Sequence, residues 1–262
     1  MIFINPQWQG SGLTDELKFG AATLHSYFKD LDTILVPLST RDLTTLDNIK
    51  CFEPILEQAK FFKEIIIDSK PGKISTIGGD CAVEIMPISY LNKIYHEDIC
   101  IIWIDAHADL NTPESSPSKT FHGMPLRTLL GEGNKKFIDL LFSRLKPEQI
   151  CYVGLRDLDE PEREYIMKHD ILTITDCQYE AVQNKIKNFE NVYIHLDLDV
   201  LDKSEYEYSL FGNDGVPVAD VAELIKQIKA NHHVVGFCIT ESTAKTLEEL
   251  EPIKQILDQI EL

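Results

Sequence analysis

The sequence is short of positive charge. Its 25 Lys+Arg stand against 43 Asp+Glu, a formal net charge of -18 over 262 residues. A surface of that sign repels phosphate backbones and anionic headgroups, which argues against nucleic acid and membrane surfaces as partners. Long apolar runs are also missing: none approaches the roughly 20 residues that span a bilayer. The opening MIFINPQWQG has no basic stretch followed by an apolar one, so no secretory signal is read there. The six cysteines, at 51, 81, 100, 151, 177 and 238, include no C-x-x-C pair. Such spacing is neither a zinc framework nor a disulfide scaffold, and a chain of this size needs no covalent staple. A reduced, cytoplasmic protein is expected. There is no Gly/Ser- or Pro-rich linker, low-complexity tract or internal repeat, so residues 1–262 are expected to form a single domain.

What the sequence does have is alternation. Apolar, β-branched runs occupy 1–5, 33–38, 73–78, 99–105, 149–155, 171–175, 192–198 and 234–240. Segments of helical period lie among them, at 51–69, 83–95, 122–130, 160–168, 217–230 and 245–260. Near-continuous apolar strands alternating with amphipathic helices predict an α/β fold with a mainly parallel sheet of about eight strands, covered on both faces. Ligands of such sheets bind beyond the carboxyl ends of the strands. Polar residues at those ends therefore carry the most functional weight. The two most loop-like stretches, 109–121 and 202–216, leave strands beside clusters of aspartate.

The first cluster is Asp105-Ala106-His107-Ala108-Asp109, which closes ICIIWID. In extended chain, residues i, i+2 and i+4 share a face, so two carboxylates and an imidazole stand together. The second is Asp197-Leu198-Asp199, which closes VYIHLDL. Four carboxylates in one crevice repel and cannot all stay ionised unaided. One or two divalent cations remove the conflict, and carboxylate with imidazole suits Mn²⁺, Mg²⁺ or Zn²⁺. The pattern predicts a two-metal hydrolase that activates water, with the substrate unnamed.

Four motifs in order make the resemblance specific: GGDCAVE at 78–84, WIDAHADLNTP at 103–113, HLDLDVLD at 195–202 and ITES at 239–242. The chain resembles the arginase (ureohydrolase) family from about 73 to 243, more weakly toward both ends. The resemblance implies a three-layer α/β/α fold, and two Mn²⁺ ions bridged by a hydroxide that attacks a guanidinium carbon and releases urea. It makes Asp105, His107, Asp109, Asp197 and Asp199 metal ligands, with Asp105 and Asp197 bridging. His122, in FHGMP, matches the family's proton shuttle, and Glu241 matches the carboxylate that pairs with the guanidinium. Asn111 and Ser118 match positions that contact an α-carboxylate. Asp159 and Glu162, in GLRDLDEPE, match positions that read an α-amino group. The implied substrate is a small cationic guanidino compound, L-arginine or a close guanidino amino acid. A homo-oligomer is expected.

Two departures stand out. Cys81 takes the place of the family's first metal-ligand histidine. As a thiolate it would bind a cation and favour Zn²⁺ over Mn²⁺; as a thiol it would leave that site short, so a single filled site is an alternative. After Asp202, the acidic, aromatic stretch 203–208 replaces the family's usual Pro and Gly-rich continuation, so 203–214 is either a pocket wall or a surface turn. Two alternatives to an active amidinohydrolase follow. One is a catalytically weak relative that binds metal or a guanidino ligand. The other is a related enzyme acting on agmatine, guanidinobutyrate or formiminoglutamate. Met124, Leu126 and Leu129 are read as core.

Overall fold

The computed structural model describes residues 1–260; positions 261 and 262, the end of the expected domain, lie outside the described residues. The strands are β1 (Ile2–Asn5), β2 (Thr33–Leu35), β3 (Ile74–Gly78), β4 (Ile99–Ile104), β5 (Ile150–Val153), β6 (Leu172–Ile174), β7 (Asn191–Asp197) and β8 (His233–Thr240). The helices are α1 (Glu16–Tyr27), α2 (Phe52–Ser69), α3 (Ile85–Ile94), α4 (Pro125–Leu129), α5 (Lys135–Ile138), α6 (Glu160–His169), α7 (Tyr179–Ile186), α8 (Val218–Asn231) and α9 (Lys254–Leu257). The eight strands form one sheet in the order β2-β1-β3-β8-β7-β4-β5-β6, and every pairing is parallel.

Side chains that alternate along each strand feed two separate cores, as a sheet covered on both faces requires. On β4, Ile99, Ile101 and Trp103 point to one core, with Phe52 and Phe62 of α2, Leu91 of α3, and Leu126 and Leu129 of α4. Cys100, Ile102 and Ile104 point to the other, with Leu24 of α1, Val182 of α7, Leu224 of α8 and Ile256 of α9. This is the expected three-layer α/β/α arrangement. Met124, Leu126 and Leu129 are buried core residues.

Each of the eight apolar runs contains one strand to within a residue. The helices differ more. Helix α1 escapes the sequence pattern because Gly20, Ala21, Ala22 and Thr23 dilute its apolar face. The stretch expected to be helical over 245–260 is a tight 3₁₀ turn at Glu248–Ile253 followed by the four-residue α9, because Pro252 sits inside the turn and cannot donate to an α-helical ladder.

Candidate metal centre and cleft

Four adjacent strands, β3, β8, β7 and β4, form the middle of the sheet and deliver the polar residues at their carboxyl ends. Cys81 opens a short 3₁₀ turn just past β3, Glu241 follows β8, Asp197 ends β7, and Asp105 follows β4. Asp199, His107 and Asp109 continue from the last two. Of the residues singled out by the sequence, all but Asp105 line one cavity of about 310 Å³. Asp105 is wholly buried.

The ligand-type atoms fall into two sets that share Asp105: Cys81, Asp105, His195 and Asp197 in one, and Asp105, His107 and Asp199 in the other. Within each set the atoms lie within 4.8 Å of one another. Asp105 faces both ways. Its Oδ1 lies 3.7 Å from His107 Nδ1, and its Oδ2 lies 3.7 Å from His195 Nε2. The Trp103 indole donates to Oδ2 at 2.9 Å and fixes the carboxylate plane. His107 Nδ1 is 2.8 Å from Asp199 Oδ2, and Cys81 Sγ is 3.1 Å from Asp197 Oδ2. Asp197 belongs only to the set with Cys81, and Asp109 to neither. Asp109 is nonetheless buried beside them with an unpartnered Oδ2. It also holds a left-handed backbone (φ 53°), a conformation that costs a non-glycine residue about 1–2 kcal/mol.

Crowding marks the electrostatics. Burial, with Asp199 and Asp105 alongside, pushes the Asp197 carboxyl well above its ordinary range. Burial, then Asp105, does the same to Asp109. Asp199 rises to about 6 through burial and the charge of Asp105. Burial also opposes ionisation of Asp105, yet His107 and His195 on its two sides outweigh it and hold that carboxyl below the usual range. The Cys81 thiol is driven up by burial and by Asp197. Oxygen and thiol groups held this way resist charge unless a cation joins them. Together with the orphaned Asp109 oxygen, the donor set fits a pair of divalent cations.

At the cleft wall, Glu241 has a left-handed backbone (φ 63°) held by its N–H donating to Gly79 O at 2.7 Å. Its Oε1 accepts the Cys81 N–H at 3.1 Å and lies 3.1 Å from His122 Nδ1, while Oε2 is buried without a partner. Burial alone would lower the His122 pKa, but Glu241 turns the shift upward. His122 N donates to Gly10 O, and Gly10 N donates to Asp80 Oδ2 at 2.7 Å, so the N-terminal loop carries this imidazole.

Farther out, Asn111 Nδ2 donates to Asp159 Oδ2 at 2.8 Å, and Ser118 Oγ lies 2.6 Å from Thr120 Oγ1. Both Glu162 oxygens are occupied, accepting from Leu110 N at 2.9 Å and from Asp159 N at 3.0 Å. Glu162 thus ties the loop after β4 to the start of α6. The stretch 203–214 contributes to the wall through Phe211, with its ring 5.9 Å from that of His122 and 6.2 Å from that of His107.

Sequence reasoning missed His195 and Glu84. His195 is one strand period before Asp197, the lone imidazole in an apolar run, and that was the available signal. Glu84 closes the GGDCAVE motif, but nothing local shows that it meets His195.

The model of the arginase family matches residues 13–247. An arginase of Staphylococcus aureus (strain MRSA252) is 42% identical over 140 residues, which is 49% of this chain and 46% of that protein. An arginase of Plasmodium berghei (strain Anka) is 33% identical over 189 residues, 66% of this chain and 53% of that one. The chain thus spans about half the length of these relatives. Among solved structures, arginase from Entamoeba histolytica in complex with L-ornithine superposes with a TM-score of 0.88 at 20% identity, covering 100% of this chain and 97% of that one. Arginase from Bacillus subtilis superposes with a TM-score of 0.80 at 21% identity, covering 98% and 97%.

Proposed function

The chain belongs to the arginase family, and from that premise we propose that it is a metal-dependent amidinohydrolase acting on L-arginine or a close guanidino amino acid. The observation that carries this reading is Asp105, shared by two ligand sets beneath a cavity walled by the His122–Glu241 pair. Cys81, Asp105, Asp109, Asp197, Asp199 and His107 would hold two divalent cations. Those cations would supply an activated water at neutral pH. Manganese suits the oxygen- and imidazole-rich half.

The protein's own groups would do the rest. The free Glu241 Oε2 accepts an N–H of the guanidinium, while Oε1 stays fixed by the Cys81 backbone. This pairing turns the guanidinium carbon toward the metal side of the cleft. Asn111 and Ser118 offer neutral donors to an α-carboxylate, and Asp159 offers an acidic acceptor to an α-ammonium. With both oxygens already engaged and its carboxyl pushed up to about 7 by burial, Glu162 acts by holding that loop in place. Water adds to the guanidinium carbon, and the bond to the chain nitrogen breaks. His122, its pKa raised by Glu241, gives that nitrogen the proton it needs to leave as an amine and regains one from the added water.

One sheet running through the chain supports a single domain. Six free cysteines support a reducing, cytoplasmic setting. Among the described residues, no helix is long and apolar enough to cross a membrane. A homo-oligomer is part of the proposal and is checked by light scattering. The central experiment measures urea release from L-arginine, agmatine and guanidinobutyrate with added Mn²⁺ or Zn²⁺. Turnover of L-arginine is expected; no urea from any of them overturns the reading.

A further inference from the structure

His195 sits wholly buried in the middle of β7, directly opposite Trp103 on β4, and its ring stacks on the indole at 3.6 Å with the planes 16° apart. An imidazole at such a position ordinarily satisfies both nitrogens, because an unpaired buried polar atom costs several kcal/mol or is tuned to a role. Here Nδ1 has no hydrogen bond, and Nε2 has only a long one, to a sulfur. Nε2 stands 3.7 Å from Cys81 Sγ and 3.7 Å from Asp105 Oδ2. Nδ1 is unpartnered and lies 3.5 Å from Glu84 Oε2, which is also buried and unpartnered.

The two 3.7 Å separations at Nε2, the one to oxygen beyond hydrogen-bond reach and the one to sulfur long, are right for the edges of a coordination polyhedron. Bonds of about 2.0–2.3 Å to N, O and S place the corners of a tetrahedron roughly 3.3–3.8 Å apart. A third edge, Cys81 Sγ to Asp197 Oδ2, is 3.1 Å. We propose that His195 and Cys81 together complete the first metal site with Asp105 and Asp197, and that this N/S/O/O set takes a thiophilic divalent cation of the zinc class. The inference rests on the two-cation reading above but adds an imidazole from mid-strand and a different metal preference for one half. Glu84 is the positioning residue. With a cation on Nε2, its Oε2, now 3.5 Å from Nδ1, takes the Nδ1–H and fixes the ring, as carboxylates behind ligating histidines do. Tyr193 OH, 3.3 Å from Glu84 Oε1, holds that carboxylate from the same strand. The neighbouring set, Asp105, His107 and Asp199, has only nitrogen and oxygen donors. The two halves therefore differ in softness, and a mixed pair of cations follows. Binding releases the Cys81 thiol proton to solvent.

The test is Co²⁺ titration of the full chain after removal of metal by chelation. The expected first equivalent shows tetrahedral d–d bands with a thiolate-to-cobalt charge-transfer band, and Zn²⁺ displaces it far more readily than Mn²⁺. Cys81→Ser removes the charge-transfer band. His195→Gln weakens the first site at least about tenfold, and Glu84→Gln, which leaves every ligand atom in place, weakens it by roughly 10- to 100-fold. Far-ultraviolet circular dichroism checks that each variant folds; the Glu84 variant carries the test if the His195 variant does not. A wild-type chain with no sulfur band, or variants of His195 and Glu84 with unchanged affinity and spectrum, overturns the proposal. So does displacement by Mn²⁺ as ready as by Zn²⁺. Urea release without the sulfur band refutes this inference alone, whereas the band without urea release refutes the assigned activity alone.

Discussion

Replacing Gln58 with leucine should loosen the cleft from a distance. Gln58 is wholly buried on α2 and joins three segments. Its amide donates to Gln7 Oε1 at 2.9 Å and to Gln9 Oε1 at 3.2 Å, and its oxygen accepts from Ser39 N at 2.8 Å. Gln7 passes the chain on to Asp80, which holds Gly10, and Gly10 receives the His122 N–H. Leucine keeps the volume but leaves Gln7 Oε1 and Ser39 N without partners, while Gln9 Oε1 keeps the Trp8 N–H. Two orphaned groups at about 1–3 kcal/mol each give roughly 2–6 kcal/mol. At about 2–4 °C per kcal/mol for a chain of this size, the midpoint of thermal unfolding should fall by roughly 4–24 °C. Circular dichroism on heating measures it. A double cycle with Gln7→Leu sharpens the test, because the pair should show a coupling of at least about 0.5 kcal/mol. A midpoint within about 2 °C of wild type, or strict additivity in the cycle, would refute the buried amide network as the support of the N-terminal loop.

Removing metal should lower stability, since Asp109, Asp197 and Asp199 crowd one another without it. Restoring a cation at about 100 times its Kd adds roughly 2.7 kcal/mol, or about 5–11 °C in Tm by differential scanning calorimetry, and Asp105→Asn should abolish most of that gain. An unchanged Tm after chelation contradicts the metal reading. Phe211→Ala removes a half-exposed wall of the cleft without touching the ligands; losing about 1–2 kcal/mol of burial should raise KM by roughly 5- to 30-fold and leave kcat nearly unchanged. A fall in kcat alone would show that Phe211 does something else. The Cys177 thiol, pushed up to about 12 by burial and by Asp220 and Asp176, is almost wholly protonated at neutral pH. Its alkylation rate, followed by mass spectrometry, should therefore climb about tenfold per pH unit from pH 7 to 10, since only the thiolate reacts. A plateau below pH 10 would contradict that environment.

The strands were legible because their cause is local. A residue buried on both faces of a parallel sheet must be apolar wherever it points, so ICIIWI and VYIHL announce β4 and β7 without any knowledge of their neighbours. Helices α1 and α7 were not legible to the same degree. Each gains its stability from one narrow stripe laid on the sheet: Leu17, Ala21 and Leu24 in α1, and only Val182 and Ile186 in α7. A stripe that thin shows itself only once the surface beneath it is known.

The site divides along the same line. Residues at strand ends carry their meaning in spacing, since the tight turn that follows each strand keeps Asp105 beside His107 and Asp197 beside Asp199. No spacing rule reaches His195. Its partners come from β4, the residue just past it and the turn after β3, and they meet because β7 runs beside β4 in a register that sets His195 opposite Trp103. The pairing of β7 with β8 places Cys81. Thr240, opposite Asp197 on β8, brings its hydroxyl within 3.3 Å of Cys81 Sγ, so the thiol is packed from one side by β8 and faces His195 and Asp197 on the other. A cysteine that had merely replaced a ligand as an inert apolar filler would not need, within 3.7 Å of its sulfur, an imidazole whose Nδ1 is unpartnered and, behind it, a carboxylate whose Oε2 is unpartnered. An inert Cys81 predicts that His195→Leu, apolar and close in volume, is neutral or stabilising in the metal-loaded protein, because it removes buried polar atoms that lack partners. A metal-ligating Cys81 predicts the opposite sign in Tm with Zn²⁺ present, and equal or higher stability only after the metal is stripped.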